Sequence, residues 1–114
     1  MVVIGPGPIG LLAVAVAKAL GASPVILTGS RNRRLAIGRE LGADWVVNIN
    51  DENAVEVVRQ VTGGIGADYV VECAGTEATV NQATPLRCAR DRVEDAIKVA
   101  VTNREAGTIA RAAE

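Results

Sequence analysis

Three glycines, at positions 5, 7 and 10, separate a short apolar run from a long one. The opening reads Met1-Val2-Val3-Ile4-Gly5-Pro6-Gly7-Pro8-Ile9-Gly10, and Lys18 is the one charge before Leu20. A G-x-G-x-x-G spacing that ends a strand and opens a helix is the context in which glycines cradle a dinucleotide. Gly5 suits the tight turn out of the strand. Gly7 leaves the backbone bare for a pyrophosphate, and Gly10 lets the helix lie close to the strand. The free N–H groups and positive dipole end of the first helical turn then face the phosphates. An ordinary strand–helix turn is the bland alternative, because glycine turns are common.

Composition narrows the class. With 114 residues, 49% hydrophobic and 22% charged, the chain has the makings of one globular domain. A net charge of −1 gives no reason to expect a nucleic acid or a membrane surface as partner. No apolar run reaches about 18 residues, so no membrane span is expected. Gly-Pro-Gly-Pro sits where a signal peptide would need its apolar centre, and no basic stretch precedes it. Cys73 and Cys88 have no metal spacing and read as reduced thiols of a cytoplasmic protein. Histidine is absent, which removes the commonest general base and zinc ligand. Aromatics are 2%, so the core must be aliphatic.

Strands and helices then alternate. Val2–Ile4 is the first strand, and the helix from Ile9 to Leu20 stops at Gly21. That helix is apolar almost all round, so a second helix or a partner must cover its far side. Pro24–Thr28 is the second strand, and Gly29-Ser30-Arg31-Asn32-Arg33-Arg34 is the loop before a helix ending at Leu41. Trp45–Ile49 is the third strand. Asn50 or Asp51 caps a helix bearing Ala54, Val55, Val58 and Val61. After a Gly63–Gly66 turn, Tyr69–Cys73 is the fourth strand, and Thr76 caps a short helix to about Ala83. This alternation predicts an α/β fold, a doubly wound parallel sheet in the order 3-2-1-4. Residues 86–92 look helical. Residues 96–102 alternate strictly and predict a fifth strand, parallel beside the fourth, because 76–96 is long enough for a crossover. Residues 103–114 are weakly helical at best and are expected to fray.

Four segments carry a family likeness: VVIGPGPIGLLAVAVAKALGA, RLAIGRELGAD, VTGGIGADYVVECAG and TEATVNQA. Residues 1–83 resemble the coenzyme domain of the zinc-containing medium-chain dehydrogenases, the alcohol, polyol and threonine dehydrogenase group. The resemblance implies a Rossmann fold that binds NAD or NADP within an oxidoreductase transferring hydride between alcohol and carbonyl. Gly5, Gly7, Pro8, Ile9 and Gly10 match its pyrophosphate loop. Where the family usually carries a ribose-binding aspartate, this chain has Gly29, followed by Ser30 and Arg31. Without the carboxylate a 2′-phosphate is not repelled, and a guanidinium can hold it, so NADP is expected over NAD. Arg34 matches a basic position on the same ribose. Cys73, Ala74 and Gly75 match the loop near the nicotinamide. Packing is the expected role of the Cys73 thiol itself.

The likeness also has gaps. The family's zinc ligands and catalytic domain have no counterpart here, and neither do its strands 5 and 6. LRCARDRVEDAIKVAV instead resembles the family's C-terminus, which reads as a join near Thr84–Pro85 or as a diverged ending. The division expected is a dinucleotide domain over 1–83, a helix plus strand over 84–102, and a tail over 103–114. The functions to weigh are a coenzyme domain without turnover of its own, a stand-alone nucleotide-binding module, and a remnant without function. The partners expected are a dinucleotide and either a second copy or the missing catalytic domain. Nothing in the residues selects a substrate.

Overall fold

The computed structural model describes residues 1–86, 98–101 and 109–111. Its elements run β1 (Val2–Ile4), α1 (Pro8–Ala19), β2 (Ile26–Gly29), α2 (Asn32–Glu40), β3 (Trp45–Asn48), α3 (Ala54–Val61), β4 (Val70–Glu72), α4 (Glu77–Leu86), β5 (Lys98–Val101) and β6 (Ile109–Arg111). They build one sheet in the order β3-β2-β1-β4-β5-β6. The first five strands are parallel, and β6 runs antiparallel to β5. The expected order 3-2-1-4 is therefore the order observed, and the expected fifth strand lies parallel beside β4, with Val70 opposite Lys98.

Both sheet faces are covered, as short all-apolar strands require. Val3, Val25 and Leu27 point to α1 and α2, meeting Val14, Ala17 and Leu35. Val2, Ile4, Ile26, Val47 and Val70 form the opposite core with Val58, Ala83 and Leu86 of α3 and α4. Alternate residues of each strand thus feed alternate layers. Lys18 leaves the apolar surface of α1 to pair with Asp44 at 3.2 Å, and Asp44 also accepts the Val25 N–H at 2.8 Å. Those contacts hold the Asp44 carboxyl below its usual range, with the Val25 N–H the largest cause.

Several boundaries differ from the sequence expectation. Pro24 has no N–H to give a ladder and stays outside β2, whereas Gly29 belongs to it, opposite Asn48. The helix α2 begins at Asn32, so Arg33 and Arg34 lie in its first turn, not in a loop. Asn53, not Asn50 or Asp51, caps α3: its Oδ1 accepts the N–H groups of Val55 (3.0 Å) and Glu56 (3.3 Å). Asn50 and Asp51 instead close a turn on Asn48. Thr76 does cap α4, its Oγ1 accepting from Thr79 N at 3.2 Å. That helix runs past Ala83 to Leu86, because Leu86 is buried and its carbonyl accepts the Ala67 N–H at 2.9 Å. Pro85 falls in the last turn, where its missing donor deprives only the carbonyl of exposed Asn81. Ile109–Arg111 form a strand where weak helix was expected, since β5 offers an edge to pair with. The helix expected over 86–92 lies, after Leu86, outside the described residues, as does the rest of 103–114. No helix among the described residues is long and apolar enough to cross a membrane.

Candidate functional site

The C-terminal ends of β1, β2 and β4 are level with one another, Ile4 opposite both Thr28 and Glu72. The chain leaves β1 toward β2 on one side and later β4 on the other, so the strand order switches direction here. Ligands of open parallel sheets collect at such a point.

Gly5 turns the chain out of β1 with φ +100°. Its N–H donates to the Thr28 carbonyl at 2.9 Å, and a Cβ on it would lie 2.8 Å from Ala74 N. Gly10 has no room either: a Cβ there would run into the Gly5 carbonyl oxygen, with Cys73 Cβ at 3.6 Å. These approaches bring Gly5, Gly10, Cys73 and Ala74 into one cluster. Gly7 is the N-cap of α1, with open space where a Cβ would be and no side-chain hydrogen bond to the first turn. Pro8 has no N–H, so the amides of Ile9 and Gly10 are the first-turn donors without an intrahelical acceptor.

Gly29 ends β2 against Pro6, and Ser30 and Arg31 follow, both exposed. Arg31 is the N-cap of α2 and makes no side-chain cap bond. Arg33 and Arg34 are exposed in a first turn with no acidic residue. No ion pair holds any of the three arginines among the described residues. Cations at a helix N-terminus oppose its dipole, so this turn suits an anion. Asn48 Nδ2 donates to Asn32 Oδ1 at 2.7 Å and ties the start of α2 to the end of β3.

One residue here escapes sequence reading. Glu72 is fully buried, yet its carboxylate accepts from Ala74 N at 2.6 Å and from Gly75 N at 3.0 Å. It shapes the loop that the candidate residues Cys73, Ala74 and Gly75 form, with Gly75 at φ +77°. The available signal was a lone carboxylate in an apolar strand just before two small residues. Burial, then the neighbouring Glu72 charge, pushes the Cys73 thiol up to about 11, which suits packing and not nucleophilic chemistry. An open groove of about 720 Å³ lies elsewhere, along α2 and β3, and of the residues at this edge it touches Asn32 and Asn48. Among the described residues no three His, Cys, Asp or Glu side chains converge as a metal site.

The chain is similar to known proteins over most of its length. The zinc-binding dehydrogenase family matches residues 8–92. The L-threonine 3-dehydrogenase of Bacillus subtilis (strain 168) is 46% identical over 80 residues, 70% of this chain and 23% of that protein. Human (Homo sapiens) sorbitol dehydrogenase is 40% identical over 82 residues, again 70% and 23%. Among solved structures, the alcohol dehydrogenase TADH from Thermus sp. ATN1 superposes with a TM-score of 0.77 at 38% identity, over 90% of this chain and 29% of that one. A zinc-binding dehydrogenase from Sinorhizobium meliloti 1021, solved bound to NADP, gives 0.72 at 36% identity over 77% and 26%. The chain spans about a quarter of the length of the curated relatives it matches. It belongs to the zinc-binding dehydrogenase family.

Proposed function

We propose that this chain is the coenzyme-binding part of a zinc-dependent alcohol- or polyol-type oxidoreductase and prefers NADP to NAD. The carrying observation is the uncapped first turn of α1, set by Gly5, Gly7 and Gly10 at the switch point of the sheet. In this reading the amides of Ile9 and Gly10 hold the diphosphate, with Pro8 presetting the turn. Gly29, Ser30, Arg31 and Arg34 receive the adenosine ribose and its 2′-phosphate. Cys73, Ala74 and Gly75 line the approach to the nicotinamide. The relative solved with NADP supports the coenzyme class.

When bound, the nicotinamide supplies a hydride acceptor or donor. The described residues contribute binding and orientation. Zinc does not fit them: the chain has no histidine and no converging ligand set among the described residues. Glu72 is the buried carboxylate at this edge, and its oxygens are already held by Ala74 and Gly75. The chain alone is therefore read as binding coenzyme without turning substrate over.

Titration with NADPH and with NADH, followed by nicotinamide fluorescence and thermal shift, tests this. NADPH is expected to bind at least tenfold more tightly. Arg31→Ala should weaken NADPH by about tenfold, the loss of one charge-assisted contact, while the fold stays intact. A chain that binds neither nucleotide would be a remnant, and the proposal would fail.

A further inference from the structure

Resting on that coenzyme reading, we infer that Pro6, a residue of the glycine turn, is a specificity-determining residue. Its ring occupies the space that a ribose-binding carboxylate at position 29 would need. Gly29 is not among the glycines with positive φ, so its backbone would accept any residue. Space is what forbids a side chain. A Cβ on Gly29 would stand 2.5 Å from Pro6 Cδ and 2.6 Å from Pro6 Cγ, with Leu35 Cδ2 behind it at 3.5 Å. A flexible side chain could swing away, but a pyrrolidine ring is closed onto its own backbone. That backbone is itself held. Gly5 is bonded to Thr28 and pressed on Ala74, and Gly7 starts α1 directly afterwards. Gly29 is fixed in turn by its pairing with Asn48 and by its carbonyl, which accepts the Ile49 N–H at 2.9 Å.

The exclusion has a chemical result. An aspartate or glutamate at the end of β2 would accept the adenosine 2′-OH and repel a 2′-phosphate. Pro6 keeps that carboxylate out and leaves Ser30 and the exposed Arg31 as the groups that meet the ribose. Coenzyme choice is thus set by two positions 23 apart in sequence and in contact in space. Changing the second alone cannot reverse it.

A double-mutant cycle on the full chain tests the pair. Gly29→Asp alone should melt roughly 5–15 °C below wild type through overpacking and should not gain NAD binding. Pro6→Ala removes both colliding atoms, so Pro6→Ala/Gly29→Asp should recover at least half of that loss. The double variant should also bind NAD at least tenfold better than wild type and NADPH at least tenfold worse. If Gly29→Asp does not fold, Gly29→Ala with and without Pro6→Ala gives the same stability cycle. Gly29→Asp melting with wild type and binding NAD as well as the double variant would overturn the inference. So would a double variant that recovers no stability. Wild type binding neither nucleotide would sink the coenzyme reading and the claim on specificity with it, while the melting cycle would still decide whether Pro6 excludes a side chain at 29.

Discussion

Glu72 and Cys73 are consecutive at the end of β4, and the fold treats them in opposite ways. The carboxylate is buried with two amide donors, whereas the thiol is buried against α1 with none of the charge stabilisation a thiolate needs. The folded state holds the Cys73 thiol at about 11, above its ordinary value of 9.0, so it favours the neutral form. Its contribution to stability is whole below pH 9 and disappears as pH rises through 11. Urea midpoints of wild type and Cys73→Ala, compared over that window, should converge. A constant difference would mean that the thiol has the same pKa folded and unfolded, and that burial does not raise it. Pro6 and Glu72 make a related point about legibility. The three segments of the candidate site stand out in the sequence by their glycines, arginines and small residues. What Pro6 and Glu72 do consists of contacts with Gly29 and with the Ala74–Gly75 amides, and no spacing rule announces either.

The elements themselves are largely legible, because short β-branched strands and glycine-stopped helices alternate without exception through β4. The parallel order follows from that alternation and the handedness of crossovers. Ends are harder to read, since local capping candidates compete. Asn50, Asp51 and Asn53 could each start α3, and Asn53 wins because the first two are drawn into the turn on Asn48. Asn53→Ala should therefore cost about 1 kcal/mol, a fall in Tm of roughly 4–8 °C. Asp51→Ala should stay within about 0.5 kcal/mol. Equal losses from both would mean that the cap is shared. The β5–β6 pairing shows the opposite limit. Residues 109–111 have little strand signal of their own, and their conformation comes from the edge beside them.

For the whole molecule, α1 is the exposed weak point. Leu12, Val16 and Leu20 are 66%, 55% and 82% exposed and lie along one side of the helix. The expectation that a single sheet face could not cover this helix holds in the described structure. Burying such side chains is worth about 1.5–3 kcal/mol each, so this stripe should bind hydrophobic dyes and promote association. Leu12→Glu/Val16→Gln/Leu20→Lys should at least halve anilinonaphthalene sulfonate fluorescence and leave Tm within about 3 °C. A large fall in Tm would mean that the stripe is already packed. Glu72 has a last effect on the sheet edge as a whole. Because its oxygens take the amide hydrogens of Ala74 and Gly75, those donors are already engaged beyond β4, whereas the amides of Ile9 and Gly10 have no intrahelical acceptor where α1 begins.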